Sequence, residues 1–395
     1  MKATDAVDTV DGADVVDVVD VVALGESMVT FLPTRPGRLA DVPSFDRAIG
    51  GAESNLACAL AAAGHSVRWA SRVGADGFGD HLVETVASYG VDVGCVDRDP
   101  VRPTGVYFRT AGDRATDAHE VAYYRAGSAA SAMSVETVDL AAVRAGRILH
   151  LSGITAALSP GCLDLLSELT APAEGRPVVS FDVNYRRGLW GSGDGPDVLL
   201  ELARRADIVF VGEDEAAEAW GVTGGPEAVR AVLPEPGVLV VKQGGVGAVA
   251  FVSGAWGLVA QSCLPQSPKG LGGPPGGTGG RSGTLPTPVS DPTPALTPVF
   301  EPAPVVDVVA PVGAGDAFAA GFLSGALRGL PLPRTLRLGH LYAAAALTTP
   351  ADLAAPPTRD TADRLTALDA AAWERLRLGP GWTQADPAEE EVRTP

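Results

Sequence analysis

Cysteine and lysine are both scarce in this chain of 395 residues. The four cysteines lie far apart, with no CxxC pair and no histidine at metal-ligand spacing: Cys58, Cys95, Cys162 and Cys263. This spacing argues against a structural zinc site and against a disulfide framework. Lysine occurs only at Lys2, Lys242 and Lys269, so nearly all the basic side chains are arginines.

Long apolar runs are missing as well, since no stretch approaches the ~20 residues of a membrane-spanning helix. Aspartates interrupt the N-terminal segment every few positions, where a secretory signal needs a continuous apolar stretch. A cytoplasmic protein is therefore expected. The formal net charge is −18, from 48 acidic and 30 basic residues, which disfavours binding to nucleic acid or to an anionic membrane.

The composition is otherwise that of a folded protein, with 46% hydrophobic and 20% charged residues. Short apolar runs alternate with helical patterns, at Val21–Leu24, Val67–Ala70, Arg147–Leu151, Val178–Asp182, Ile208–Val211 and Val238–Val241. Such alternation predicts βαβ units, hence an α/β fold whose mostly parallel sheet is covered by helices on both faces. Two β-rich segments, Gly105–Arg109 and Val121–Arg125, break the pattern and predict a small separate sheet.

Three segments are predicted to lie outside the folded domain, which is expected to cover 21–372. Residues 1–20 form an acidic tail whose last valines can enter the first strand. Residues 262–304 contain 11 prolines and 8 glycines in 43 positions and are interpreted as a disordered insertion. Residues 373–395, which include three consecutive glutamates, are expected to form a C-terminal tail.

The most informative stretch is PVGAGDAFAAGF at 311–322. Apolar residues recur there at helical spacing, so GAGD is predicted to form the first turn of a buried helix. The free backbone N–H groups of Gly313, Ala314 and Gly315 would point outward and, with the helix dipole, favour an anion. Asp316 beside this anion site suits a general base for phosphoryl transfer. The simpler alternative is that Asp316 caps the helix, as aspartate often does.

The chain lacks the signatures of several other enzyme classes: a GxxxxGK[ST] loop, an HRD–DFG pair, a GxSxG elbow and an HExxH helix. Its two glycine-rich motifs, GGAESN at 50–55 and APVGAGDAFAAGF at 310–322, instead resemble the two signatures of PfkB (ribokinase-like) carbohydrate kinases. The resemblance covers roughly 21–261 and 305–370. It implies a ribokinase-like three-layer α/β/α fold with a small β lid at about 33–47 and 102–127.

Within that family, the chain is most similar to the 2-keto-3-deoxygluconate kinases. Three segments carry this likeness: GGAE at 50–53, YYRAGSA at 123–129 and FDVNYR at 181–186. The resemblance implies phosphorylation of the primary hydroxyl of an acidic keto-sugar by ATP and Mg²⁺. Asp316 would be the base, and Gly313, Ala314 and Gly315 would hold the charge on the transferred phosphoryl group.

The resemblance also implies which side chains bind the sugar: Gly51, Asn55, Tyr107, Tyr124, Arg125, Asn184, Arg186 and Asp316. Arg125 and Arg186 would face the acid group, because an arginine fork suits a carboxylate. For Gly51 and Asn55 the alternative is a tight turn between strand and helix. For the arginines the alternative is an ordinary place on the surface, which is also expected of Arg187.

The nucleotide site is expected in the KQGGVGA segment at 242–248, which resembles the family's turn over the ribose and adenine. Its candidate residues are Lys242, Gly244 and Gly247, with Gly313 and Gly315 at the phosphates. Glu215 stands where many members have a glutamate linked to magnesium. Ala310 replaces an aspartate that in ribokinase-like members helps to hold a monovalent cation, which argues against activation by such a cation here.

Two alternatives to this function remain open. One is another kinase of the same family, such as a fructokinase, a ribokinase or a nucleoside kinase. The other is a non-catalytic, sugar-acid-binding protein of the same fold. A homo-oligomer is expected because lid sheets of this fold often pair between subunits. The epimer of the sugar acid, the nucleotide preference and the role of the 262–304 insertion are not specified by the sequence.

Overall fold

A nine-stranded sheet organises the part of the chain that the structure describes. The structure is a computed structural model covering residues 17–35, 37–110, 121–190, 193–252 and 298–384. Its strands, numbered along the chain, are β1 (Val19–Leu24), β2 (Met28–Pro33), β3 (Phe45–Gly50), β4 (Val67–Gly74), β5 (Asp92–Asp99), β6 (Val106–Arg109), β7 (Val121–Tyr124), β8 (Gly146–Ser152), β9 (Val178–Asp182), β10 (Ile208–Gly212), β11 (Val238–Lys242), β12 (Gly247–Val252), β13 (Val299–Pro302), β14 (Val305–Val306) and β15 (Arg377–Leu378). The order across the large sheet is β13-β12-β11-β10-β9-β8-β1-β4-β5. The strands from β11 to β5 are parallel, and β12 and β13 add antiparallel at one edge.

Helices cover both faces of this sheet. They are α1 (Ala52–Ala62), α2 (Gly77–Ser88), α3 (Leu140–Arg144), α4 (Gly153–Ala156), α5 (Pro160–Thr170), α6 (Arg187–Trp190), α7 (Gly195–Arg205), α8 (Glu213–Trp220), α9 (Pro226–Val232), α10 (Ala314–Leu327), α11 (Leu332–Leu347), α12 (Arg359–Thr366) and α13 (Ala370–Glu374). One core lies between the sheet and α1, α10 and α11, and a second lies between the sheet and α5, α7 and α9. The predicted three-layer α/β/α fold is confirmed.

The strands read as continuous apolar runs because both of their faces are buried. In β10, for example, Ile208 and Phe210 belong to the core with α10, while Val209 and Val211 belong to the core on the opposite face. The ring of Phe210 packs edge-on against Phe322 of α10, with 5.3 Å between ring centroids. A helix is therefore required on each side of the sheet.

The predicted lid is a four-stranded sheet of order β3-β2-β6-β7. The first lid segment was predicted at about 33–47. In the structure it is longer at both ends, since β2 starts at Met28 and β3 runs to Gly50. Strand β6 pairs parallel with β2 and antiparallel with β7. A polar turn is predicted from the sequence at 112–119, between β6 and β7, and it lies outside the described residues.

Two predicted boundaries are wrong. The insertion was expected to reach 304, but Val299–Pro302 forms β13, and the Glu301 carboxylate in it binds Arg337 of α11 at 2.8 Å. The C-terminal tail was expected from 373, but Trp373 is fully buried and donates a hydrogen bond to the Pro302 carbonyl. Neither contact is visible in a local pattern, because each joins segments far apart in sequence. Residues 1–16, 253–297 and 385–395 lie outside the described residues.

The topology brings helix starts to one edge of the large sheet. In a parallel sheet every strand ends at the same edge, and the helices that follow begin there. Helix α4 starts directly after β8, and α8 starts directly after β10. Helix α1 follows the lid strand β3, and α10 starts near the ends of β9 and β11. Within the described residues, no helix combines the length and the apolar character needed to cross a bilayer.

Candidate active site

A cavity of about 390 Å³ opens at this edge, between the strand ends and the lid. Most of the predicted site residues line it: Gly51, Asn55, Tyr107, Arg125, Asn184, Arg186, Glu215, Lys242, Gly313, Ala314, Gly315 and Asp316. Tyr124, Gly244 and Gly247 lie outside its lining. The structure thus brings together residues from segments separated by more than half of the chain.

The start of α10 forms one wall of the cavity. The chain enters this 14-residue helix through Gly313, whose φ of +74° is the left-handed region that favours glycine. Ala314 and Gly315 open the helix, and all three residues line the cavity. The N–H groups of a first helical turn have no partners within the helix, and the helix dipole favours negative charge beside them. An anion in the cavity would therefore be bound here.

Asp316 lies in the first turn of α10 and does not cap it. The helix has no side-chain cap, and the Asp316 Oδ2 atom instead accepts a hydrogen bond from Nδ2 of Asn55 in α1, at 3.0 Å. Burial raises the pKa of Asp316 to about 6, although the hydrogen bond from Asn55 acts to lower it. This geometry favours a general base over the capping role that the sequence left open.

The other carboxylates of the cavity lining are paired with cations. The pairs are Arg109 with Asp352 (2.6 Å), Arg125 with Glu26, Arg186 with Glu215 (3.2 Å) and Lys242 with Asp182 (2.9 Å). Among the described residues, no salt bridge includes Asp316. Since a paired carboxylate accepts a proton less readily, Asp316 is the acid in the cavity best suited to take one.

Lys242 ends β11 and extends into the cavity. Its Nζ atom lies 2.9 Å from Asp182 and 3.5 Å from the position that a Cβ on Gly315 would take. Burial lowers the pKa of Lys242, but the nearby carboxylates, Asp182 first, raise it further, so the ammonium group stays charged. The sequence assigns Lys242 to the ribose and adenine end of the site, whereas the structure places it beside the anion-binding turn of α10.

The structure places Tyr123, and not Tyr124, in the cavity lining. The register of β6 and β7 sets Tyr107 opposite Tyr123, with 5.5 Å between the ring centroids, and Val106 opposite Tyr124. Neighbouring residues of a strand point to opposite faces, so Tyr124 lies on the outer face of the lid, where 66% of it is exposed. The prediction that Tyr124 lines the sugar site is therefore wrong, and the strand alternation was the available signal.

The sequence predicts no role for two further residues at the site, Asp352 and Glu53, although Glu53 belongs to the GGAESN motif. Asp352, in the loop after α11, accepts hydrogen bonds from the hydroxyl of Tyr107 and from Arg109. Glu53 is fully buried in the first turn of α1, and its Oε1 atom accepts hydrogen bonds from the hydroxyls of Ser152 and Thr155, each at 2.7 Å. Burial raises the pKa of Glu53 to about 7.

Glu215, the candidate magnesium ligand, has both carboxylate oxygens engaged. Oε2 accepts a hydrogen bond from the Gly212 backbone at 2.8 Å, and Oε1 contacts Arg186 at 3.2 Å. In the part of the chain that the structure describes, no three His, Cys, Asp or Glu side chains are grouped to hold a metal ion. The contacts of Glu215 shown here are thus with the protein itself.

The pH dependence of turnover provides a first prediction. Protonated Asp316 cannot accept the proton of a hydroxyl, so kcat/KM is expected to fall below about pH 6, where this carboxyl becomes protonated, and to level off above it. A pH profile of the wild type measures this. Because burial also raises the pKa of Glu53 to about 7, the profile of Glu53→Gln is the control. If kcat/KM of this variant still falls below about pH 6, the fall is assigned to Asp316. A profile flat down to about pH 5 would contradict the assignment.

Fold and cavity together define an α/β protein of the ribokinase-like class, with an anion-binding helix start beside a free carboxylate. The family model described as "pfkB family carbohydrate kinase" matches residues 19–268 and 296–359. The chain belongs to the PfkB family of carbohydrate kinases, and is thus a phosphotransferase acting on carbohydrates.

Named relatives and solved structures agree with this family. The chain is 35% identical over 244 residues to a 2-dehydro-3-deoxygluconokinase of Thermoproteus tenax, covering 59% of this chain and 72% of that one. It is 30% identical over 351 residues to the enzyme of the same name from Bacillus subtilis, covering 86% and 93%. A crystal structure of a PfkB protein from Polaromonas sp. JS666 is 29% identical, with a TM-score of 0.67 over 89% of this chain and 100% of that one.

Proposed function

We propose that this protein transfers the γ-phosphoryl group of ATP to the primary hydroxyl of an acidic keto-sugar. The substrate we propose is 2-keto-3-deoxygluconate, converted to its 6-phosphate. The proposed phosphoryl transfer rests on the carboxylate of Asp316 at the start of α10. This carboxylate forms no salt bridge with the described residues and accepts a hydrogen bond from Asn55. The two relatives named 2-dehydro-3-deoxygluconokinase, which is the same activity under another name, support the sugar acid.

The chain's own residues supply most of the transfer chemistry. Asp316 would take the proton of the attacking hydroxyl, which is a poor nucleophile at neutral pH. The N–H groups of Gly313, Ala314 and Gly315 would stabilise the charge on the transferred group, and Lys242 would contribute a fixed positive charge. Mg²⁺, when bound, would neutralise the phosphates of the nucleotide. Gly244 and Gly247 remain the proposed contacts of the nucleotide base, and Glu215 the proposed contact of the metal.

Arg186 is the side chain best placed to bind the acid group. Its two hydrogen bonds, to the Tyr185 carbonyl and to Glu215, both use Nη1. Nε and Nη2 make no hydrogen bond with the described residues, and 54% of the side chain is exposed while it lines the cavity. A guanidinium edge with two free donors is suited to a carboxylate. Arg125 has less to offer, because its ion pair with Glu26 leaves only 11% of its side chain exposed.

The location and the assembly of the protein stay predictions. We propose the cytoplasm, where ATP is supplied, and a homo-oligomer.

Asn184 and Gly51 are proposed to bind the sugar hydroxyls, since both line the cavity. Asn184 has a φ of +40°, unusual outside glycine, and its Oδ1 atom is buried without a hydrogen-bond partner. An unpaired buried acceptor is costly, and a sugar hydroxyl would satisfy it.

Replacement of Arg186 tests the acid-sugar assignment. In Arg186→Met, KM for 2-keto-3-deoxygluconate is expected to rise about 10- to 100-fold, because a charge-assisted interaction with the acid group is lost. The change in kcat is expected to be smaller. Arg187→Met, at the exposed neighbouring position, is the matched control and should behave as the wild type. An ADP-release assay with ATP and Mg²⁺ measures both variants on 2-keto-3-deoxygluconate, fructose and ribose.

A neutral sugar is the second candidate substrate. The specific observation in its favour is the pairing of every cation in the cavity lining with a protein carboxylate, which lowers the attraction for a further acid. Turnover of fructose or ribose that is indifferent to Arg186→Met would select this candidate. Turnover confined to the sugar acid would exclude it.

A further inference from the structure

Arg109 joins the lid to a loop on the opposite side of the cavity. It ends β6, and its Nη2 atom donates to the Asp352 carboxylate at 2.6 Å and to the Pro350 carbonyl at 2.8 Å. These residues lie more than 240 positions away in sequence, in the loop that follows α11. Both side chains of the ion pair are only 4% exposed. A buried guanidinium therefore holds the 348–352 loop by one carboxylate and one backbone carbonyl.

The same loop forms the support behind the anion-binding turn. A Cβ on Gly313 would stand 2.3 Å from the carbonyl oxygen of Asp352, so the loop backbone lies directly against this glycine. On its other side Asp352 touches the lid, where its second carboxylate oxygen accepts a hydrogen bond from Tyr107. A Cβ on Gly50 would likewise collide with that carboxylate, at 2.6 Å. Asp352 is thus wedged between the lid and Gly313.

The residues here do not fit the monovalent cation that the family resemblance implies. Ala310 stands where ribokinase-like members have an aspartate, and it is buried, with its N–H donating to the Leu347 carbonyl at 3.3 Å. Its methyl group offers no oxygen to a cation at the base of the 348–352 loop. The positive charge next to that loop is instead the guanidinium of Arg109, which already occupies the Pro350 carbonyl.

We propose that Arg109 is a positioning residue for phosphoryl transfer, whose guanidinium takes the place of an exchangeable monovalent cation. It holds the 348–352 loop, and through the Asp352 carbonyl it fixes the orientation of the Gly313 peptide. The protein is accordingly independent of added K⁺. The inference rests on the carbohydrate kinase activity of the family and not on the identity of the sugar. A 1 Å displacement of such a group can cost about 100-fold in rate, so the support matters.

The test compares cations and variants in one experiment. Wild type, Arg109→Met, Arg109→Lys and Asp352→Asn are assayed in KCl, NaCl and tetramethylammonium chloride, with the sugar that the wild type phosphorylates best. Arg47→Met, at an exposed position of lid strand β3, is the control. The thermal midpoint of each protein without substrate is measured in the same three salts. This melting measurement does not need the proposed substrate to be correct.

The proposal expects wild-type kcat and thermal midpoint to be the same in all three salts. In Arg109→Met, kcat should fall about 10- to 100-fold in tetramethylammonium, with KM for the sugar little changed, because the anion-binding turn loses its support. K⁺ should then raise both kcat and the thermal midpoint of this variant. Arg109→Lys, which keeps a charge, should be intermediate. Adding Arg109→Met to Asp352→Asn should cost less than it does alone, since both act through one contact.

Several results would overturn the proposal. A loss of activity or of thermal stability of the wild type without K⁺ would overturn it. This result does not depend on the variants, so it counts even if every variant failed to fold. A folded Arg109→Met with wild-type kcat would show a purely structural ion pair. A change confined to KM for the sugar would make Arg109 a direct sugar contact. Inactive wild type on every sugar would count against the proposed function, while the melting measurement would still decide on Arg109.

Discussion

Asp316→Asn is expected to lower kcat by about 10²- to 10⁴-fold, the usual contribution of a general base. Asparagine keeps the size and the polar character of the side chain but cannot accept the proton of the attacking hydroxyl. The hydrogen bond with Asn55 can be retained through the amide oxygen, so KM for the sugar and the thermal midpoint should change little. Steady-state kinetics and a melting curve on the same preparation measure the three quantities.

A matched control distinguishes loss of a general base from loss of a helix-capping carboxylate. Asp369 caps α13, where its carboxylate accepts a hydrogen bond from the Ala372 backbone at 2.8 Å, far from the cavity. Since asparagine caps helices as well as aspartate does, Asp369→Asn should leave both kcat and stability near the wild type. If Asp316→Asn behaved like Asp369→Asn, with kcat within about threefold of the wild type, Asp316 would not be the base.

Gly313→Ala is expected to have the second largest effect, a loss on the order of 100-fold in kcat. An alanine at a φ of +74° is strained by about 1–2 kcal/mol, and its Cβ would meet the Asp352 carbonyl oxygen at 2.3 Å. The backbone around Gly313 must shift to relieve this collision, which displaces the start of α10 that lines the cavity. Kinetics with varied ATP and varied sugar measure the loss.

Gly64→Ala is the control for backbone strain alone. Gly64 follows α1 with a φ of +90°, and no atom lies within 4 Å of a Cβ placed there. Both variants therefore carry the left-handed penalty, but only Gly313→Ala adds the collision beside the cavity. Equal kcat values for the two variants would mean that the orientation of the Gly313 peptide is unimportant for transfer.

Much of the fold is predictable because it rests on local patterns. The run Ile208–Val211 reads as a strand because both of its faces are buried, and β10 covers Ile208–Gly212. The strand Val299–Pro302 was not predictable in the same way, since proline and glycine dominate the segment before it. Its place in the sheet depends on pairing with β12 and on the Glu301–Arg337 contact.

The site likewise has a part that local sequence patterns predict and a part that depends on tertiary packing. Helix α10 and Asp316 follow from the GAGD motif, because a first helical turn exposes its N–H groups whatever the rest of the fold does. The loop of Asp352 has no such motif, and its role depends on packing against Gly313 and Tyr107. Tyr123 was missed because a tyrosine pair in a sequence does not show which of the two faces inward.

The sequence by itself determined the alternation of strands and helices, the anion-binding start of α10 and the candidate base, since each depends on residues within one or two helical turns. Only the tertiary structure decided that Arg125 is buried in an ion pair with Glu26, that Nε and Nη2 of Arg186 make no hydrogen bond with the described residues, and that Arg109 reaches Asp352. Ion pairs of this kind form between side chains brought together by strand register and loop packing. No local pattern encodes that proximity, and for this reason the charge balance of the cavity emerges only in the folded chain.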